Sequence, residues 1–169
     1  MREKTTAIES IEVDVTGFFT THHYLQAEWG DLGELMFPAF SQGATYVALD
    51  ERKITMQKSH WLGTAHEMIE GDSVRGRADR PGLLRRDIAL HFDGQDYWLE
   101  PEGIFKQGWF LLDAERRILM EIQPRGMFKQ GAYLMLREPV QLDLVAFAYY
   151  LVHMRKQEDA AAVAATSAS

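Results

Sequence analysis

The sequence contains no cysteine, which excludes disulfide bonds, thiolate metal sites and a cysteine nucleophile together. No stretch reaches the roughly 20 consecutive apolar residues that a membrane-spanning helix needs. The N-terminal residues lack the apolar segment of a signal peptide, so none is predicted. These absences are typical of a protein from a reducing cytoplasm. We therefore expect a cytoplasmic location, with peripheral membrane contact as an open alternative.

Motifs of common enzymes are missing as well. The chain has no Gly-x-Ser-x-Gly elbow, no Walker loop and no dinucleotide-binding fingerprint. Adjacent side chains of a strand point to opposite faces, so His22 and His23 are poorly placed to share a metal ion, and so are His66 and Glu67. We predict a non-enzymatic protein without a cofactor or metal, and an enzyme of unknown type is the least favoured alternative.

Charge is unevenly distributed along a chain of net charge −7. Residues 1–72 carry 5 basic and 12 acidic residues, whereas residues 73–137 carry 11 basic and 9 acidic residues. The overall acidity disfavours nucleic acid as a partner. The basic middle segment is where we expect a site for a discrete anionic ligand.

Short segments that alternate apolar and polar residues dominate the chain and predict about twelve β-strands. Ile11–Val15 and Ile118–Gln123 are clear examples. Asp93-Gly94 is the strongest hairpin turn in the sequence. The segment Leu84–Phe92 is predicted as one strand that places Arg86 in phase with its apolar face, at the mouth of a barrel.

The last predicted element is a helix over residues 142–157 that is apolar on every side. From Leu144 to Val152 the only polar groups are tyrosine hydroxyls. A helix of this kind must be enclosed by protein or lipid, and nine residues are too few to span a bilayer. The sequence therefore predicts a mainly β protein, a closed antiparallel barrel of about twelve short strands around a central hydrophobic C-terminal helix. Asp143 is placed to cap its first turn.

The chain is predicted to form a single domain. Residues 1–10 are expected to be a flexible N-terminus, residues 11–157 the barrel with its helix, and residues 158–169 an alanine-rich tail that can extend the helix before fraying. Within the barrel, Gly103-Ile-Phe-Lys-Gln-Gly-Trp-Phe-Leu recurs as Gly126-Met-Phe-Lys-Gln-Gly-Ala-Tyr-Leu. We interpret the repeat as equivalent hairpin units in which glycine permits a bend.

Several pieces of the sequence resemble the Tubby C-terminal-like superfamily, which includes the LURP-one-related proteins and the phospholipid scramblases. The similar pieces are Leu83-Leu-Arg-Arg-Asp-Ile, Asp93-Gly-Gln-Asp-Tyr-Trp-Leu, the two repeats and Leu142–Lys156, within a resemblance that covers Ile11–Lys156. It implies a twelve-stranded barrel threaded by its C-terminal helix. It also implies a binding function, such as the phosphoinositide binding of Tubby proteins. The acidic calcium loop expected of scramblases is absent.

The candidate ligand site is a set of basic side chains, because arginine forks match the geometry of phosphate. Five arginines and one aspartate lie between residues 75 and 86, and further basic residues fall at matching points of the repeat. The alternative is that these charges pair with Asp72, Asp79 and Asp87 and only keep the barrel soluble. The candidate anion-binding residues are Arg75, Arg77, Arg85, Arg86, Lys106, Arg125 and Lys129. We expect the first four to share one exposed side of the barrel.

Together these features predict a binding module for an anionic lipid headgroup or another phosphorylated ligand. The competing hypothesis is a scaffold for protein–protein interaction or oligomerisation. The sequence leaves the oligomeric state and the ligand open.

Overall fold

The structure is a computed structural model that describes residues 9–60, 62–82, 84–126 and 129–168. The predicted flexible N-terminus lies almost wholly outside the described residues. Twelve strands precede one helix, α1, at Leu142–Ser167. The strands are β1 Ser10–Thr16, β2 Thr20–Ala27, β3 Gly30–Pro38, β4 Gly43–Ala48, β5 Lys53–Lys58, β6 His66–Glu70, β7 Ser73–Asp79, β8 Ile88–Phe92, β9 Gln95–Pro101, β10 Trp109–Asp113, β11 Ile118–Pro124 and β12 Ala132–Leu136.

Each strand pairs with its neighbour in sequence, and β1 pairs with β12 to close the barrel. All pairs are antiparallel, with Ile11 opposite Leu134 at the closing seam. Closure removes the free edges that an open sheet of this size would present to other chains. The predicted twelve-stranded closed antiparallel barrel is confirmed.

Local sequence explains most of the strands and turns. In β5, buried Ile54 and Met56 alternate with exposed neighbours, as expected for a strand with one face on the core. Asp93 and Gly94 both adopt positive φ, at 47° and 82°, which is the backbone of a type I′ hairpin turn. The hairpin predicted at this dipeptide is confirmed.

Helix α1 fills the barrel interior, and its residues from Asp143 to Val152 are buried on all sides. Phe147 has no exposed surface and lies so close to β7 that a Cβ added to Gly76 would be 2.7 Å from its ring. Tyr150 is also fully buried. An apolar surface on every side is what a helix enclosed by a sheet requires, since no face of it meets water.

Two local predictions are wrong. Residues 84–87 lie in a loop that Pro81 and Gly82 begin, so β8 starts only at Ile88 and the exposed Arg86 is not part of a strand. Asp143 makes no capping hydrogen bond and forms ion pairs instead. The helix continues through the alanine-rich tail to Ser167, the extension that the sequence allowed, because alanine is the strongest helix former.

The up-and-down topology sorts the connections between strands into two ends. We call end A the set of loops 17–19, 39–42, 59–65, 80–87, 102–108 and 125–131, and end B the set of connections 28–29, 49–52, 71–72, 93–94, 114–117 and 137–141. Helix α1 starts at end B, where Asp143 pairs with Arg75, and leaves at end A, where Glu158 pairs with Arg80.

Candidate functional site

Large hydrophobic side chains are exposed at the tips of the end A loops. Among the described residues, every large hydrophobic side chain that is at least 75% exposed lies in one of these loops. Five of the six loops carry at least one of them, and Met127 and Phe128 of the sixth lie outside the described residues. The seven side chains are Phe18, Phe19, Phe40, Leu62, Leu84, Ile104 and Phe105. Isolated exposed hydrophobics are ordinary, but a concentration of them at one end is unusual for a protein surface.

The two ends also differ in charge. The end A loops contain six basic and two acidic residues, net +4, whereas the end B connections contain four basic and seven acidic residues, net −3. The end A loops are also longer, up to eight residues, while three end B turns have only two. End A therefore combines exposed apolar tips with positive charge, and end B is polar and negative.

Five of the seven predicted anion-binding residues lie at end A. Arg85 and Arg86 are exposed in loop 80–87, and Arg85 is 3.8 Å from Asp87. Lys106, whose Nζ is 3.0 Å from Glu102 Oε1, and Lys129 are exposed as well. These four cations can reach a ligand. Arg125 cannot, because its side chain is 5% exposed and already donates to Glu12 and Asp14.

Arg75 lies at end B, so the expectation that four arginines share one exposed side is wrong. The ladder of β6 and β7 pairs Met68 with Gly76 and Ile69 with Val74, which leaves Arg75 as the extra residue of a β-bulge. The bulge changes the direction of this side chain relative to a regular strand. Arg75 turns toward buried Phe92, with its Cζ 5.3 Å from the ring centre, and toward α1.

Arg77 points outward from the barrel wall, with a 69% exposed side chain whose Nε is 3.3 Å from Glu67. It lines a cavity of about 770 Å³ on the outer surface of β6–β9, together with His91 and Trp98. Ser59 and Ala65 of an end A loop and Ala114 of an end B connection also line this cavity. Arg77 itself lies in β7, on the barrel wall, and not in an end A loop.

At end B, an ion-pair network joins the start of α1 to the barrel. Asp143 Oδ2 accepts hydrogen bonds from Arg75 Nη1 at 2.5 Å and from Arg52 Nη1 at 3.0 Å. Glu70 accepts from the same two arginines, and Asp93 binds Arg75. A cavity of about 610 Å³ opens beside this network. Since both guanidinium groups have carboxylate partners, we assign the network a structural role.

Buried histidines hold α1 in the half of the barrel nearer end A. His23 Nδ1 is 2.7 Å from the Tyr149 hydroxyl, and His66 Nδ1 is 2.9 Å from the Tyr150 hydroxyl. The ring of His153 packs on His23 with centroids 4.8 Å apart. His22 faces outward and pairs with Glu34, so the predicted opposite orientation of the two adjacent histidines is confirmed.

These histidines make stability depend on pH. Burial lowers the pKa of His23 to about 3 and the pKa values of His66 and His153 to about 4, from 6.5. Their neutral forms stabilise the fold fully above pH 6.5, and this contribution is lost as pH falls toward the folded-state values, because the unfolded chain binds protons first. We expect urea unfolding to show a loss of about 1 kcal/mol per buried histidine between about pH 7.5 and about pH 5.5.

A matched pair of variants tests this assignment. His66→Phe should reduce the pH dependence of the free energy of unfolding, whereas Leu62→Phe, at a side chain that is 79% exposed and cannot titrate, should leave it unchanged. A wild-type free energy of unfolding that is constant over this range would contradict the prediction.

Reasoning from sequence identified the end A cations but missed the hydrophobic tips. A signal was present in the repeat, where Phe105-Lys106 and Phe128-Lys129 place an aromatic residue beside a lysine. Gly108 and Gly131 each lead directly into a strand from end A, as predicted, but the backbones differ there, since Gly131 has a φ of 101° and Gly108 does not adopt a positive φ. Residues 127 and 128 of the second copy lie outside the described residues. In an up-and-down barrel, alternate loops meet at one end.

The helix of the described residues is not long and apolar enough to cross a membrane. The chain was compared with protein-family models, with curated proteins and with solved structures, and no match was found in any of the three comparisons.

Proposed function

We propose that the protein is a non-enzymatic peripheral binding module that attaches to an anionic membrane surface through end A. The observation that carries this proposal is the coincidence of seven exposed hydrophobic tips with a net charge of +4 at the same end. Hydrophobic side chains gain by entering the acyl boundary, and nearby cations gain from the negative potential of the leaflet. Attachment in a cytoplasmic setting is part of the proposal.

The charge on end B supports one orientation. End B, whose connections have a net charge of −3, is repelled by an anionic leaflet, whereas end A is attracted to it. The barrel should therefore stand with its axis perpendicular to the membrane and end A against the leaflet. An end-to-end dimer through end A would bring the exposed cations of two copies together, which disfavours a second copy as the occupant. The exposed hydrophobic side chains lie on separate loops. A fluid lipid surface can adapt to such a dispersed set of contacts.

Membership of the Tubby C-terminal-like superfamily is part of the same proposal, supported by the twelve-stranded barrel around a C-terminal helix. The phosphorylated ligand expected from the sequence is then the lipid headgroup, met by Arg85, Arg86, Lys106 and Lys129.

Charge reversal tests the electrostatic half of the proposal. Arg85→Glu with Arg86→Glu should weaken co-flotation with phosphatidylserine-containing vesicles by about 30-fold or more, since each cation near the leaflet contributes about 1 kcal/mol. Arg116→Glu with Arg117→Glu makes the same charge change at end B and should have little effect. Wild-type binding should also weaken with salt.

Substitution of the tips tests the hydrophobic half. Ile104→Ser with Phe105→Ser keeps the charge of end A, and should abolish flotation without changing urea unfolding, because both side chains are at least 83% exposed. Trp29→Ser, at an end B residue that is 65% exposed, is the control. Membrane attachment through end A is refuted if the wild type does not bind anionic vesicles. It is also refuted if each end A variant binds as its end B control does. A protein partner then becomes the leading hypothesis.

A further inference from the structure

The part of α1 outside the barrel has an unusual surface. Residues 160–167 are exposed on every side and contain only alanine, valine, threonine and serine. We call this the helix extension. It has no charged residue and no polar face, so it differs from the amphipathic helices that lie flat on a membrane. A helix that is apolar all round normally has an apolar environment on all sides.

The extension projects from the centre of end A. Glu158 pairs with Arg80 and, at 3.3 Å, with Lys58, which fixes the helix where it leaves the barrel. The eight residues that follow Asp159 extend about 12 Å at the rise of an α-helix. This length is comparable to one leaflet of the hydrocarbon core, about half of ~30 Å. Any flat surface that meets the end A loops must therefore accommodate the extension.

The polar side chains of the extension are satisfied within the helix. Thr166 Oγ1 donates to the carbonyl oxygens of Ala162 and Val163, at 3.1 and 2.9 Å. Ser167 Oγ lies 2.9 Å from the carbonyl oxygen of Val163. Side-chain hydroxyls that bond inside the helix can enter an apolar medium at low cost. The last four carbonyl groups of an α-helix have no partner within it, so the end of the extension needs hydrogen-bond donors from water or lipid headgroups.

We propose that the helix extension, residues 160–167, enters the acyl region of the same anionic bilayer that end A contacts. This inference rests on the proposed function and adds an anchor at the centre of the ring of loops. Charge complementarity supports the bilayer as the occupant, because the exposed cations of the end A loops, Arg85, Arg86, Lys106 and Lys129, would repel those of a second copy.

The absence of native cysteine permits a direct test with single introduced thiols. Val163→Cys, Ile104→Cys and Glu115→Cys are each labelled with an environment-sensitive fluorophore and mixed with vesicles of phosphatidylcholine and phosphatidylserine. Acyl chains brominated at defined depths serve as quenchers. We expect the probes at residues 163 and 104 to shift to the blue and to be quenched. The probe at residue 115, at end B, should keep the emission of a water-exposed fluorophore and should not be quenched.

A second measurement separates insertion from electrostatic contact. Val163→Lys adds a positive charge, so an extension that stayed in water would bind anionic vesicles equally well or more tightly. Insertion predicts binding that is at least about threefold weaker, because an ammonium group is costly in the acyl region. A quenched probe at 104 with an unquenched probe at 163, or undiminished binding of Val163→Lys, overturns the inference and leaves the proposed function standing. Absence of vesicle binding by wild type overturns both.

Discussion

Phe147→Asp should abolish the folded barrel. The Phe147 side chain has no exposed surface and stacks on Tyr150 at a centroid distance of 6.2 Å. An aspartate there would be surrounded by apolar groups from Gly76 and the other residues that line the helix. Burying an unpaired carboxylate costs several kcal/mol in addition to the lost apolar contacts. That loss is comparable to the whole stability of a domain, about 5–15 kcal/mol.

Far-ultraviolet circular dichroism and size-exclusion chromatography give the measurement, and we expect no monomeric β-rich species. Phe147→Leu is the matched control, since it keeps an apolar side chain and should remain folded with a loss of roughly 1–3 kcal/mol. A monomeric Phe147→Asp protein that unfolds cooperatively near the wild-type midpoint would show that this helix is not enclosed.

Asp143→Ala should lower the free energy of unfolding by about 1.5–3 kcal/mol, because it removes the carboxylate that joins Arg75 and Arg52 to the helix, although Glu70 and Asp93 still face Arg75. Asp143 and Arg75 each have a side chain that is 9% exposed, so water replaces little of the lost interaction. The network also joins α1 to β6, β7 and the end B connections 49–52 and 93–94, and its loss should release the start of the helix first.

Asp50→Ala provides the control for this second prediction. Asp50 pairs with Arg52 of the same network but is 60% exposed, so its removal should cost less than about 1 kcal/mol. Urea unfolding of both variants is compared under one buffer condition. An Asp143→Ala protein within 1 kcal/mol of wild type would mean that Arg75 finds sufficient charge in Glu70 and Asp93 alone.

Strands and turns could be predicted from the sequence wherever a local residue pattern is compatible with only one kind of secondary structure. Alternation in β5 and the Asp93-Gly94 turn depend on neighbours in sequence, so they could be predicted without coordinates. The pattern failed at residues 84–87, where apolar Leu84 happens to be in phase with β8 although it is fully exposed in a loop. Periodicity alone cannot separate an exposed loop tip from the inward face of a strand.

The direction in which an individual side chain points could not be predicted from the two-residue alternation of a strand, because it depends on bulges and on contacts between distant segments. Arg75 and Arg77 are two residues apart and should share a face in a regular strand. The bulge at Arg75 places one of them on a buried network and the other in solvent. Arg125 likewise looked available in sequence, yet the closing seam between β1 and β12 brings Glu12 and Asp14 to it.

The sequence by itself determined the enclosed helix, the number of strands and the absence of thiol chemistry, because these depend on composition and on short-range periodicity. Only the tertiary structure decided where function is to be sought. Closure of the up-and-down barrel brings Phe18 and Phe105, far apart in the chain, to the same end and sends the acidic turns to the other. Antiparallel strands alternate in direction around a closed sheet, and this alternation decides which loops become neighbours. No single segment of the sequence contains this long-range information.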